Sequence, residues 1–91
     1  MAIRVEFYGI ARRRAGVESL SLPVEKELRL GQVLELLSEH LPELAAECFQ
    51  GDRLRPGYVA NLGGDRFVCD PLTFVSPGDS LLILSADVGG T

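Results

Sequence analysis

The residues best suited to chemistry lie at the far end of the sequence, in Ser85-Ala86-Asp87-Val88-Gly89-Gly90-Thr91. They follow the most apolar run of the chain, Leu81-Leu82-Ile83-Leu84. No strand comes after Gly89-Gly90, so the pair has no turn to make. One reading is a frayed terminus without function. The other is a delivery arm, because Ser85 to Gly90 spans about 20 Å when extended. Such an arm could thread a narrow channel and carry an acyl group to another protein's reactive centre. Glycine suits that tip because it has no Cβ to hinder a nucleophile.

The other reactive side chains offer less. Cys48 and Cys69 are far apart and form no CxxC pattern, which leaves reduced, buried thiols as the expectation. His40 has no partner at metal-ligand spacing and reads as a helix-end residue, where a positive imidazole suits the negative helix terminus. No metal site is expected. A second glycine pair, Gly63-Gly64, lies between two strand-like runs and is followed by Asp65, which reads as a hairpin turn.

With 91 residues, one domain with a single core is the ceiling, and an enclosed substrate cavity beside that core is not expected. A self-sufficient enzyme is therefore disfavoured. The formal charge of −4 disfavours nucleic acid as the main partner. Arg12-Arg13-Arg14 is the basic cluster; it reads as a solvated loop or as a small patch for an acidic partner. The opening MAIRVEFYG lacks a signal-peptide pattern and no segment approaches about 20 apolar residues, so a cytoplasmic protein without membrane contact is expected.

The elements that must position the tail follow from periodicity. Ile3, Val5 and Phe7 alternate with Arg4, Glu6 and Tyr8, as in a half-buried strand. Leu20, Leu22 and Val24 alternate likewise, so the two segments predict an antiparallel hairpin joined by a basic connection over Gly9 to Gly16. Pro23 places the second strand at a sheet edge. Apolar residues at 33, 34, 36, 37 and 41 predict a helix buried on one side, with Gly31 as N-cap and an end near His40 imposed by Pro42. Pro42 then opens a second short turn, PELAAECF. YVANL and RFVCD predict two short strands. LLIL does not alternate, which predicts a central last strand covered on both faces and parallel to the first. The fold class is α+β, a mixed sheet with one main helix packed across one face.

Taken together these segments resemble the MoaD/ThiS sulfur-carrier family. The resemblance is carried by IRVEFYGIARRRAG, LRLGQVLELLSEHLPEL, RLRPGYVANLGG and DPLTFVSPGDSLLIL followed by VGG, in that order and over nearly the whole chain. It implies a ubiquitin-like β-grasp domain over residues 1–84 and a flexible diglycine tail over 85–91. It also implies chemistry done on this chain by others. A ubiquitin-activating-type enzyme, using ATP and Mg²⁺, would adenylate the carboxylate of Gly90. A sulfur donor would displace AMP and leave a thiocarboxylate. A synthase large subunit or another acceptor would then take the sulfur, most readily for a molybdopterin-type cofactor. Val88 and Gly89 would form the threading tail with Gly90, and this chain would itself bind no cofactor. Docking would use the sheet face away from the helix, with Tyr8 and Leu84 as its residues.

Two features depart from the family pattern. Thr91 follows the diglycine, so a tail-trimming peptidase is expected to remove it before activation. The stretch Ser85-Ala86-Asp87 lacks the prolines associated with molybdopterin-type members. A modifier joined through Gly90 to target lysines is a competing reading, and a sole lysine, Lys26, disfavours chains built on the protein itself. A noncatalytic synthase subunit and a β-grasp binding module with an inert tail are two others.

Overall fold

The structure is a computed structural model and describes residues 1–85. Strand β1 (Ala2–Phe7) leads into helix α1 (Ile10–Ala15), then strand β2 (Ser19–Pro23). A two-residue strand β3 (Leu28–Arg29) precedes helix α2 (Leu30–His40) and helix α3 (Pro42–Cys48). Short strands β4 (Phe49–Gln50) and β5 (Arg53–Leu54) follow, then β6 (Tyr58–Leu62), β7 (Arg66–Val68), β8 (Phe74–Val75) and β9 (Ser80–Ser85).

The main sheet has the order β2-β1-β9-β6-β7. Its hairpins are antiparallel, with Val5 opposite Leu20 and Asn61 opposite Phe67. The last strand enters the middle of the sheet, parallel to β1 (Val5 opposite Leu81) and antiparallel to β6 (Ala60 opposite Ile83). The expected mixed sheet, central last strand and edge position of Pro23 are all present. Two-stranded ribbons β3-β8 and β4-β5 were not anticipated, because two residues carry no periodicity.

One face of the sheet carries the core. Ile3, Val5, Phe7, Leu81 and Ile83 are buried there against Val33, Leu34 and Leu37 of α2 and Leu44 of α3. Each such side chain contributes about 1.5–3 kcal/mol on removal from water. Helix α2 ends as predicted: Leu41 leaves helical angles at φ −134°, and Pro42 opens α3 at its first position.

Four expectations are corrected. Gly9 to Gly16 is not merely a connection but contains α1, whose Ala11 and Ala15, four apart, are buried on one side. Gly31 is not the N-cap of α2; Arg29 is, and Gly31 is buried inside the first turn. The helix can start early because loop carbonyls accept its free amides: Leu30 N–H donates to Thr73 at 2.8 Å and Gly31 N–H to Pro71 at 2.9 Å. Gly31 matters for packing instead, since a Cβ there would lie 3.1 Å from that of Asp52. The run LLIL is not covered on both faces: Leu81 and Ile83 are buried, while Leu82 and Leu84 are half-buried on the outer face. Finally, Cys48 is buried but Cys69, just past the edge strand β7, is exposed.

Gly63 and Gly64 make the β6-β7 turn with φ of +72° and +86°, as the pair predicts. His40 closes α2, its Nδ1 2.9 Å from the Leu36 carbonyl oxygen.

Candidate functional site

Two regions bear on the chemistry expected from sequence: the end of β9 and the outer face of the sheet. Val88, Gly89, Gly90 and Thr91 lie outside the described residues, as does the rest of the tail from Ala86. The root is well defined. Ser85 ends β9 opposite Tyr58 of β6. On the other side, Tyr8 N–H donates to the Ile83 carbonyl at 3.0 Å, which extends the β1-β9 pairing by one residue. The base of the tail is thus held from both neighbouring strands.

Gly9 lets the chain close around that base. Its backbone has φ +63° and ψ −134°, and a Cβ there would lie 2.9 Å from Ser85 Oγ. Only glycine adopts those angles readily. Gly9 is not marked by the sequence as a positioning residue. The signal available in the sequence is its position directly after the alternating run Ile3 to Tyr8.

On the β6 side, Tyr58 Oη donates to the Glu47 carboxylate at 3.0 Å. Removal from water, reinforced by that hydrogen bond to Glu47, pushes the Tyr58 pKa up to about 12. Burial also raises the Cys48 thiol, so this cysteine stays protonated and is a poor nucleophile.

The outer face can be read row by row from the strand register. Phe67, Asn61, Leu82 and Glu6 form one row, and Val59 and Leu84 the next. Phe67 is 69% exposed, while Leu82, Leu84 and Val59 are half-buried. A sheet face that alternated cleanly would be polar here. An apolar band rimmed by charge is instead the composition of a contact surface.

Tyr8 and Leu84 lie at one end of this band. Tyr8 is 44% exposed, and its Oη donates to the Glu6 carboxylate at 2.8 Å. Arg4 Nε donates to the same carboxylate at 2.9 Å. The Arg4 hydrogen bond first, and then that of Tyr8, holds Glu6 below the ordinary carboxylate range. Glu6 in turn raises Tyr8 above the ordinary tyrosine range. Phe67, Asn61, Leu82 and Val59 are the other residues of this face and are not among the docking residues expected from sequence, because their face depends on strand register.

Asn61 stands out for a different reason. It is only 8% exposed, and its Oδ1 has no hydrogen-bond partner among the described residues. Buried side-chain acceptors are nearly always paired in folded proteins. Among the described residues no cluster of three His, Cys, Asp or Glu side chains is arranged to hold a metal ion. No helix there is long and apolar enough to cross a membrane.

No protein-family model matches this sequence, and neither does any curated protein. Solved structures do resemble it. Small archaeal modifier protein 1 from Haloferax volcanii superposes with a TM-score of 0.83 at 19% identity, over 99% of this chain and 100% of that one. A protein described as a candidate molybdopterin converting factor, subunit 1, from Pyrococcus furiosus gives 0.75 at 16% identity, over 93% and 97%. Urm1 from Trypanosoma brucei gives 0.71 at 23% identity, over 92% and 90%. At these identities the likeness establishes the fold, a ubiquitin-like β-grasp, as the sequence resemblance implied.

Proposed function

We propose that this chain is a sulfur carrier whose Gly90 carboxylate is adenylated by a ubiquitin-activating-type enzyme and converted to a thiocarboxylate for cofactor biosynthesis. The observation that carries the reading is the placement of β9. It is hydrogen-bonded on both sides, between β1 and β6, and ends at Ser85, five residues before Gly90. A stiff strand fixes where the arm starts, and the arm's length, about 20 Å from Ser85 to Gly90, sets how far it reaches into a partner.

The chemistry asks little of this chain. ATP and Mg²⁺ act at the activating enzyme, where attack of the carboxylate on the α-phosphate turns a poor electrophile into an acyl-adenylate with a good leaving group. A sulfur nucleophile then displaces AMP. The carrier's own tasks are to present an unhindered acyl carbon through Gly89-Gly90 and to dock. Docking falls to the apolar band around Leu84, with Tyr8 at its end. The acceptor would be a synthase large subunit or another sulfur acceptor. A molybdopterin-type role draws support from the resemblance to a converting-factor subunit.

Thr91 places a β-branched residue after the reactive glycine. In this reading a peptidase removes it before activation. The test is a reconstitution with the activating enzyme, ATP and a sulfur donor. The chain ending at Gly90 should gain a thiocarboxylate, seen by intact mass as one oxygen replaced by sulfur. A chain that retains Thr91 and is loaded equally well would refute the trimming step. Failure of the Gly90 form to be adenylated would refute the carrier reading.

A second reading is a protein modifier joined through Gly90 to target lysines. It is favoured by the modifier names of the structurally similar Haloferax volcanii proteins. A ladder of high-mass conjugates that disappears on deletion of Gly89-Gly90 would support it.

A further inference from the structure

Among the described residues Asn61 is the only buried polar or charged side chain, and the helices do not cover it. Its register places it on the outer face, between Phe67 of β7 and Leu82 of β9, with Glu6 of β1 completing the row. No group among the described residues donates to its Oδ1. A buried acceptor left unmade costs stability that an apolar side chain of the same size would not. Folding alone therefore gives no reason for an amide at this position.

The rest of the row defines what fits against it. The Glu6 carboxylate already accepts from Arg4 Nε at 2.9 Å and from Tyr8 Oη at 2.8 Å. Leu82 is half-buried and Phe67 is 69% exposed, both apolar. A cation brought here would give up its water for one uncharged oxygen and a carboxylate that is engaged elsewhere, which leaves its desolvation largely unmet. A neutral N–H or O–H loses far less and needs one acceptor, which Oδ1 supplies. The torsion that aims the amide is broad, and no hydrogen bond to Oδ1 resists turning it outward.

The position of Asn61 along its strand defines which partner reaches it. Val59 and Leu84, the next row, lie two residues nearer the end of β9, about 7 Å along the strands. Ser85 ends β9 immediately beyond Leu84. A protein that closes over the end of β9 to take up Gly90 therefore covers the Asn61 row as well. We infer that Asn61 is the specificity residue of the outer face. The activating enzyme seats an apolar surface on Phe67, Leu82 and Leu84 and donates one neutral hydrogen bond, from a backbone amide or an uncharged side chain, to Asn61 Oδ1. The inference rests on the carrier reading and adds to it the residue that makes docking selective. An apolar face alone accepts any apolar surface, whereas a buried acceptor rejects one that brings no donor.

The experiment measures the affinity of the full chain ending at Gly90 for the activating enzyme, for wild type and Asn61→Leu. It is run from about 0.1 M to about 1 M salt, over which the Debye length falls from ~10 Å to ~3 Å. Leucine keeps the face apolar and removes the acceptor, so the enzyme's donor is buried unpaired and binding should weaken about tenfold or more. The loss should be the same at both salt limits, because a neutral donor is not screened. Denaturant unfolding should show the isolated Asn61→Leu chain no less stable than wild type. In wild type itself, the side-chain amide resonance of Asn61 should shift when the enzyme is added. Equal affinities, or an amide resonance unmoved at saturation, overturn the inference while adenylation of wild type upholds the carrier reading. A loss that disappears at high salt overturns the neutral donor in favour of a charged one. An Asn61→Leu chain destabilised enough to account for its weaker binding assigns the amide to the fold and overturns the inference. A wild type that self-associates through Asn61 in sedimentation overturns the choice of partner. A wild type that is not adenylated overturns both readings.

Discussion

Gly9 and Ser85 meet at the end of β9, where a methyl group on Gly9 would lie 2.9 Å from the Ser85 hydroxyl oxygen. The serine can turn away, so the contact alone is a modest obstacle. The backbone of Gly9, at φ +63° and ψ −134°, is the larger one. Together they make the root of the tail dependent on a residue some 75 positions earlier, at the other end of the sequence.

Gly9→Ala should therefore destabilise the fold by about 1–3 kcal/mol, the usual cost of a side chain forced into such angles. Urea denaturation measures it. Adding Ser85→Gly should recover only a minor part. Full recovery in the double variant would show that the contact, and not the backbone, dominates.

Asn61→Leu tests the unpaired acceptor. Oδ1 of Asn61 is buried without a partner among the described residues, so replacing the amide by an apolar group of similar size removes a desolvation cost. The isolated chain should be as stable as wild type or more stable. A loss beyond about 1 kcal/mol in denaturant unfolding would show that the amide is satisfied in solution.

Tyr58 predicts an alkaline signature. Its folded pKa, about 12, lies above the unfolded value near 10. A raised tyrosine pKa means the folded state keeps its proton longer. The associated stability is complete below about pH 10 and falls as pH rises from there through about 12. Tyrosinate absorbance should show one group titrating near the upper value, and Tyr58→Phe should remove that late step. A wild-type titration complete by about pH 11 would contradict the burial and the bond to Glu47.

Leu84→Asp probes the outer face. Leu84 is half-buried beside Val59, away from the core side chains Leu81 and Ile83. The variant should stay folded by circular dichroism yet bind the activating enzyme at least tenfold more weakly, since a carboxylate would be buried without a partner. Unimpaired binding would move the docking surface away from Leu84.

Much of this architecture was legible in advance because short-range patterns encode it. Ile3-Val5-Phe7 alternate, so β1 declares which side faces the core. Residues 33 to 41 carry a helical repeat with Pro42 to stop it. Gly63-Gly64 needs positive φ wherever the strands go. Other elements were hidden for identifiable reasons. Three consecutive arginines masked α1, whose signature is only the pair Ala11 and Ala15. Gly31 looked like a cap because a cap and a close approach both ask for glycine, and the approaching Asp52 lies 21 positions away.

The sequence by itself determined the local periods, the breaks between them, and the chemical character of a tail ending in Val88-Gly89-Gly90-Thr91. Only the tertiary structure decided that β9 lies between β1 and β6, that Phe67, Asn61, Leu82 and Leu84 share one face, and that Gly9 approaches Ser85. The reason is physical. Periodicity reports which side of an element is buried, whereas strand order and register are set by long-range backbone pairing, and a slip of one residue would turn every one of those side chains to the opposite face.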